Sequence, residues 1–201
     1  MASELLRELE EEIRRCTKCP LHRHRTKAVP GEGDPNAKVF FIGEAPGRNE
    51  DLEGRPFVGA AGKLLNRLLE LAGLSRSAVF ITNVVKCRPP GNRDPRPEEI
   101  EACAPYLDRQ LAAVRPDIVV TLGRHSTAYL LGRAGMQASS IMKTRGRIYR
   151  IEVGGLEVEV LPTLHPAAAL YNPRLLPLLE SDFFLLRNLL RGRAEGLERF
   201  F

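Results

Sequence analysis

The chain contains four cysteines, and their spacing is that of a metal site. Cys16 and Cys19 form a Cys-x-x-Cys pair in a polar loop, whereas Cys87 and Cys103 lie much further along the chain. Four thiolates complete the ligand set of a tetrahedral zinc ion or of an iron–sulfur cluster. Two disulfides are the alternative, but residues 1–15 are charged throughout and lack the apolar segment of a secretion signal. The pattern therefore favours a metal or a cluster, and ligand type alone does not separate the two.

Three other segments place polar side chains directly after apolar runs. Glu44 lies in a Gly-Glu-Ala-Pro-Gly turn, Asn83 ends a β-rich run, and His165 precedes a proline. A carboxylate, an amide and an imidazole can together bind a polar ligand and handle protons. Each residue taken alone is also common in an ordinary turn.

The elements that must position these residues alternate between strand and helix. The apolar runs predict strands at 38–42, 79–85 and 117–122, and a hairpin with arms 148–153 and 156–161 closed at Gly154-Gly155. Helical spacing predicts a first helix of about three turns, then helices at 60–72, 97–114, 124–131 and 174–192. This alternation predicts one α/β domain, a three-layer sandwich around a mostly parallel sheet.

Binding sites of such sheets lie beyond the carboxyl ends of the strands. Glu44, Asn83, the loop after Gly123 and His165 all follow predicted strands. We therefore expect them to share one rim of the sheet.

Composition restricts the function classes. The chain has 201 residues and a formal charge of +5, which favours a polyanionic partner. No apolar run approaches the roughly 20 residues that a membrane span needs. We expect a monomer in the cytoplasm, associated with the nucleoid and not secreted.

Five motifs, in order along nearly the whole chain, resemble those of the iron–sulfur uracil-DNA glycosylases, family 4 of their superfamily. They accompany the Cys-x-x-Cys opening and have the following residues: Gly43-Glu44-Ala45-Pro46-Gly47, Gly54-Arg55-Pro56-Phe57-Val58-Gly59, Thr82-Asn83-Val84-Val85-Lys86-Cys87-Arg88-Pro89-Pro90, Lys143-Thr144-Arg145-Gly146 and His165-Pro166-Ala167-Ala168.

The resemblance implies an α/β/α sandwich around a four-stranded parallel sheet, formed by residues 1–193. It also implies a [4Fe–4S] cluster held by the four cysteines: Cys16, Cys19, Cys87 and Cys103. The implied reaction is hydrolysis of the bond between uracil and deoxyribose, in double- or single-stranded DNA, to leave an abasic site in base excision repair.

Roles for individual residues follow from the same resemblance. Phe57 stacks on the flipped uracil, Asn83 pairs with its edge, and His165 donates to O2 as negative charge develops there. The backbone at Gly43 contacts the base. Excision requires the base to leave the stack, so all of these groups must line one pocket.

At two positions of the Gly43–Gly47 motif, this chain differs from the uracil-DNA glycosylases of family 1. Ala45 replaces the aspartate of that family, so we expect Glu44 to position the water. Gly47 replaces the tyrosine that excludes the thymine methyl group, so we expect the Glu50 neighbourhood to exclude it.

Basic residues near these motifs predict DNA phosphate contacts: Lys86, Arg88, Arg93, Lys143 and Arg145. Leu170, after the His165 motif, is expected to fill the gap left by the flipped base. Residues 194–201 resemble a sliding-clamp (PCNA) binding box through Leu197, Phe200 and Phe201, with Ala194 where glutamine is usual. The alternative is that the two phenylalanines pack on their own domain.

Three other functions are alternatives to catalytic excision of uracil from DNA. A relative that forms a covalent adduct with uracil-DNA carries a histidine in a basic insert, and residues 88–96 contain no histidine. A family 5 glycosylase lacks the acidic residue that Glu44 supplies. A zinc-stapled DNA-binding module without activity would be colourless, whereas an iron–sulfur protein is brown.

Overall fold

The computed structural model describes residues 2–198, and side chains as far as residue 193. Its centre is a six-stranded sheet in the order β1-β3-β2-β4-β6-β5. The strands have the following bounds: β1 Glu32–Gly33, β2 Val39–Gly43, β3 Phe80–Asn83, β4 Ile118–Leu122, β5 Tyr149–Val153 and β6 Leu156–Thr163. The four inner strands are mutually parallel, and the two edge strands run antiparallel to them. The expected four-stranded parallel sheet is therefore the inner part of a wider one.

Eight α-helices flank this sheet in the described chain. Their bounds are as follows: α1 Ala2–Arg15, α2 Arg48–Glu53, α3 Ala60–Leu71, α4 Pro97–Val114, α5 Arg124–Arg133, α6 Ile141–Thr144, α7 Pro166–Tyr171 and α8 Leu176–Glu198. The predicted helices and strands are all present, with ends that move by a few residues. The last helix extends to residue 198 rather than 192, and the first has 14 residues rather than three turns. None of the helices in this part of the chain is apolar over a length sufficient to cross a bilayer.

Alternation along the strands builds one core on each face of the sheet. On β2, Phe40 and Ile42 pack with α1, α4 and α5, whereas Val39 and Phe41 pack with α3 and α8. Successive side chains of a strand point to opposite faces, so an uninterrupted apolar run is buried on both. The result is the predicted three-layer arrangement.

The hairpin of β5 and β6 closes at Gly154-Gly155 as predicted. Both glycines have positive φ angles, of 60° and 77°, as the two-residue type I′ turn favoured in hairpins requires at both of its central positions. The hairpin extends the sheet past β4 and brings the end of β6 to the functional rim.

Candidate functional site

One cavity of about 300 Å³ lies at the carboxyl ends of the inner strands. Glu44, Asn83 and His165 line it together, as their positions after β2, β3 and β6 predict. Its other lining residues include Gly47, Glu50, Phe57, Pro89, Asn92 and Arg93. The topology therefore brings the three predicted polar groups into one concave site.

Asn83 is 2% exposed, and its Oδ1 atom is buried without a hydrogen-bond partner among the described residues. It lies beside Gly43 in the β2–β3 register. A Cβ at position 43 would stand 2.3 Å from Asn83 Oδ1 and 2.7 Å from Phe57 Cζ. A buried acceptor without a partner is costly, so this oxygen is suited to a donor on a ligand.

Phe57 has a φ angle of +50°, which a phenylalanine rarely adopts. Arg76 holds the preceding loop by donating to the carbonyl groups of Pro56 and Phe57, at 2.5 and 3.3 Å. The close approach of α3 fixes it further, because a Cβ on Gly62 would stand 1.8 Å from the Phe57 carbonyl oxygen. Backbone strain maintained in this way is frequent at ligand sites.

Glu50 shapes the same loop from inside. Its Oε1 atom accepts hydrogen bonds from the backbone N–H groups of Val58 and Gly59, each at 2.9 Å. Glu50 also lines the cavity. It therefore fixes the turn that presents Phe57.

His165 stands at the N-terminus of α7, and its Nδ1 atom accepts from the N–H of Ala167 at 3.1 Å. Burial lowers the pKa of His165 to about 4, against the smaller opposing effect of the Glu50 charge. The ring is therefore neutral near pH 7, and its proton resides on Nε2, because Nδ1 is an acceptor. A neutral imidazole with a fixed Nε2–H is a preorganised donor.

Glu44 has neighbours that the sequence did not single out. Its Oε2 atom lies 3.6 Å from His125 Nε2, and that nitrogen lies 3.1 Å from Asp94 Oδ2. Burial raises the pKa of Glu44; the His125 charge lowers it, and Asp94 raises it further. The only sequence signal for His125 was its place in the first turn after β4, at the end of the sheet where Glu44 also lies.

The four cysteines surround a second, smaller cavity beside Arg25 and Tyr106. None forms a disulfide. Arg25 Nη1 donates to Cys87 Sγ at 3.1 Å, and the Lys86 backbone N–H donates to Cys103 Sγ at 3.3 Å. Burial raises the pKa of the Cys103 thiol to about 11. Four converging thiols with such donors fit a metal or cluster, which would displace their protons.

Lys86 was predicted to contact DNA, and this prediction is wrong. The side chain is 1% exposed, and its Nζ donates to Thr82 Oγ1, the Asn83 carbonyl and Gln110 Oε1 at 2.6 to 2.7 Å. Burial lowers its pKa to about 7. Lys86 therefore supports the strand that carries Asn83 and cannot reach a phosphate.

Arg145 requires a similar correction. It forms an ion pair with the buried Asp182 and donates to the Leu178 carbonyl, so its guanidinium is held within the protein. Arg93 forms a bidentate ion pair with Glu99. It also lines the cavity, so it stays a candidate for a DNA contact.

The other predicted DNA contacts are accessible. Lys143 is exposed and Arg88 is partly so. Leu170 is 47% exposed at the end of α7, and the neighbouring Tyr171 is 90% exposed. The side chain of Leu197, together with Phe200 and Phe201, lies outside the described residues.

Comparison with known proteins gives a superfamily match and several similar proteins. Residues 30–188 match the model of the uracil DNA glycosylase superfamily. The type-4 uracil-DNA glycosylase of Saccharolobus solfataricus is 54% identical over 193 residues, which cover 96% of this chain and 89% of that protein. The type-4 enzyme of Sulfurisphaera tokodaii is 58% identical over 185 residues, 92% of this chain and 84% of its own. That of Archaeoglobus fulgidus is 50% identical over 180 residues, 90% of each chain.

Proposed function

The chain belongs to the uracil-DNA glycosylase superfamily, and from this premise we propose that it hydrolyses the bond between uracil and deoxyribose in DNA. The product is an abasic site, which base excision repair then processes. The observation that supports this most is the buried Asn83 Oδ1, left without a partner beside Phe57 and His165. The cavity volume, about 300 Å³, is at the lower end of small-molecule sites and suits a single flipped nucleotide.

Asn83 selects the base. Its Oδ1 accepts from N3–H of uracil, while its amide N–H donates to O4. Cytosine has an acceptor at N3 and an amino donor at C4. The Asn83 oxygen would therefore face an acceptor, and its N–H group would face a donor. A buried amide left unpaired in this way discriminates strongly against the wrong base.

Phe57 and His165 form the remainder of the base site. Phe57 provides an apolar face for the flipped ring, and the absence of a side chain on Gly43 lets Asn83 and Phe57 pack directly against the β2 backbone. The Nε2–H of His165 donates to uracil O2, where negative charge accumulates as the glycosidic bond breaks. Because the imidazole is already neutral and oriented, no proton must move before this stabilisation acts.

Glu44 positions the attacking water. Two carboxylates line the cavity, and within the described part of the chain Glu44 accepts no backbone hydrogen bond, whereas Glu50 is held to a loop by two. The negative charge of Glu44 also favours the positively charged sugar that forms as the bond breaks. Glu50 acts through the Phe57 loop and narrows the cavity beside Gly47, where the methyl group of thymine would have to fit.

DNA is held through its phosphates by Arg88, Arg93 and Lys143. Leu170 inserts into the duplex where the base has left. Both are standard means of stabilising an opened duplex.

The four cysteines hold a [4Fe–4S] cluster in this proposal. The thiols converge on one small cavity, and Arg25 and the Lys86 backbone N–H donate to two of the sulfur atoms, which suits a group bound by thiolates. The resemblance to the iron–sulfur uracil-DNA glycosylases favours the cluster over a zinc ion. When bound, the cluster supplies four iron–thiolate bonds that cross-link the N-terminal loop to the connection between β3 and α4.

A second proposal concerns residues 194–201, as a binding segment for the sliding clamp. It rests on the sequence pattern of Leu197, Phe200 and Phe201. Deletion of residues 195–201 should abolish co-elution with the clamp and leave excision unchanged. Retained clamp binding by the truncated protein would overturn it.

The activity is tested with a duplex oligonucleotide that contains one uracil, alongside the same duplex with thymine. We expect alkali-dependent cleavage at uracil only, with several products per enzyme molecule. A protein–DNA adduct that survives denaturation would instead identify the covalent relative. Salt-dependent binding without any reaction would identify a non-catalytic module.

A further inference from the structure

A short basic segment, residues 23–27, follows the first two cysteines and has the sequence Arg-His-Arg-Thr-Lys. It starts at the end of a 3₁₀ helix, Pro20–Arg23, which Leu21 anchors in the core with 1% of its surface exposed. The side chains of Arg23 and Lys27 are exposed. Neither takes part in the phosphate contacts proposed above.

The backbone of the basic segment is fixed to α2, a helix whose first turn borders the base cavity. The N–H of Thr26 donates to Asp51 Oδ1 at 2.9 Å, and Asp51 is 3% exposed. At the end of α2, Lys27 packs against Gly54, where an added Cβ would stand 3.2 Å from Lys27 Cδ. Glu50, which precedes Asp51, lines the cavity. The segment therefore runs alongside a helix that forms one wall of the cavity.

The other side of the basic segment is fixed to the connection between β3 and α4. Arg25 Nη1 donates to Cys87 Sγ at 3.1 Å, and its Nη2 donates to the Arg14 carbonyl at 2.8 Å. Just after the segment, the N–H of Val29 donates to the Lys86 carbonyl at 2.7 Å. The same connection continues into the lining of the cavity. Arg25 thus holds the segment in place, between two elements that both border the base site.

The charges of Arg23, Lys27 and the neighbouring Arg48 are not neutralised within the described part of the chain. Arg48 is exposed in the first turn of α2. None of these three side chains forms an ion pair there, whereas Arg14 and Arg15 of α1 are both paired with glutamates. An unpaired cation on a fixed backbone suits a phosphate, because no internal ion pair must break and the backbone is already ordered when it binds.

The length of α2 matches the spacing of phosphates next to the flipped nucleotide. The six residues of this helix span about 9 Å, from Arg48 at the cavity end to Gly54, against which Lys27 packs. A DNA strand rises ~3.4 Å per nucleotide, so this length corresponds to about two or three nucleotides. Arg48 and Lys27 can therefore contact different phosphates of one strand.

We propose that Arg23, Lys27 and Arg48 form a second phosphate-binding surface, which holds the DNA strand beside the flipped uracil on the α2 side of the cavity. This inference rests on the proposed function, because it places the surface next to the base site. The surface is separate from the phosphate contacts proposed above, which come from other segments of the chain.

The test is a salt titration of DNA binding by the double variant Arg23→Ala/Lys27→Ala. The probe is a duplex oligonucleotide with thymine in place of uracil, so that no reaction accompanies binding. Loss of two phosphate contacts should lower the slope of log affinity against log salt by about 2, and the affinity at about 0.1 M salt should fall about 10-fold or more. On the uracil duplex, single-turnover excision should slow at low enzyme concentration and recover with a large excess of enzyme.

Two further variants separate charge from folding. Lys27→Arg keeps the cation and should keep the parent slope. Lys38→Ala is the matched control, because it removes a lysine that is 73% exposed and precedes β2, at the opposite end of the sheet from the cavity. It should also bind with the parent slope.

The outcomes separate the inference from the function it rests on. A parent slope for Arg23→Ala/Lys27→Ala would overturn the second surface, as would an equally lowered slope for Lys38→Ala, since the effect would then follow net charge alone. Slow excision that excess enzyme does not restore would also overturn it, because the damage would lie in the base site. The expected slopes in a parent protein that excises no uracil would support the surface and refute the proposed function.

Discussion

The ring of Phe57 stacks on the imidazole of His165, with centroids 5.5 Å apart and planes inclined by 28°. Phe57 is presented by a strained loop before α3, and His165 by the start of α7. The two rings form a continuous wall of the cavity and bury each other. Because the wall comes from distant parts of the chain, its geometry depends on the whole fold being in place.

Gly43→Ala should disable the base site without unfolding the protein. The new methyl group would stand 2.3 Å from Asn83 Oδ1, and must displace either that amide or the Phe57 ring. We expect single-turnover excision to fall about 10²-fold, because a displacement of ~1 Å at a reacting group can cost that much. Gly132→Ala is the control, since nothing lies within 4 Å of the new Cβ, and it should stabilise α5 by about 0.5–1 kcal/mol. Parent activity in Gly43→Ala would show that this close approach is not part of the site.

Asn83→Asp should weaken uracil excision by about 10²-fold or more. The substitution removes the N–H that pairs with O4 and adds a buried carboxylate, and each unpaired group costs about 1–3 kcal/mol. The same variant should narrow the preference for uracil over cytosine in matched oligonucleotides. Uracil kinetics identical to those of the parent would remove Asn83 from base recognition.

His165 should remain neutral well below pH 6. Its pKa is lowered from 6.5 to about 4, so between these values the unfolded chain binds more protons than the folded protein. Its contribution to stability is therefore complete above pH 6.5 and is lost progressively as the pH falls towards 4. Urea unfolding at pH 5 and pH 7 should show a smaller pH dependence in His165→Asn than in the parent. An NMR titration of His165 with a midpoint at or above 6 would contradict the assignment.

Lys86→Met should reduce stability and leave the salt dependence of DNA binding unchanged. The substitution removes the hydrogen bonds that Lys86 Nζ donates to three buried oxygens: Thr82 Oγ1, the Asn83 carbonyl and Gln110 Oε1. Methionine carries no charge, so the variant avoids the cost of burying one, and this offsets part of the loss. We therefore expect the free energy of unfolding in urea to fall by about 2–4 kcal/mol. Lys143→Ala should behave in the opposite way, with unchanged stability and a slope of log affinity against log salt that is lower by about 1. A reduced slope for Lys86→Met would reinstate it as a phosphate contact.

Loss of the proposed cluster should lower stability before it affects chemistry. Without the cluster, the N-terminal loop loses its cross-link to the β3–α4 connection. The thiol of Cys103 is then buried without a bound metal, and burial raises its pKa. Iron removal, or Cys103→Ser, should therefore lower the melting temperature. The single-turnover rate, measured well below both melting temperatures, should change much less. A melting temperature equal to that of the untreated parent protein would argue against this structural role.

Local patterns in the sequence specify the elements and the family motifs. The apolar run Val39 to Ile42 determines a strand buried on both faces, and the Gly154-Gly155 pair determines the hairpin, because both depend on neighbours close in the chain. Strand ends also placed Glu44, Asn83 and His165 on one rim, since parallel strands bring their carboxyl ends to the same side.

Tertiary structure alone decided which charged residues are accessible and which of them meet. In the sequence, Lys86 lies next to other basic residues of a loop and therefore suggests a phosphate contact. In the structure, Gln110 of α4 and the turn after Asn83 enclose its side chain in the core. Arg145 is likewise taken up by Asp182 of α8, and Glu44 meets His125 and Asp94 across three separate connections. Hydrophobic periodicity fixes the face of each element, but a side chain in a loop is buried or exposed according to which distant element packs over it. That is a property of distances in the folded chain, and it is the reason why the cavity was foreseeable while its supporting network was not.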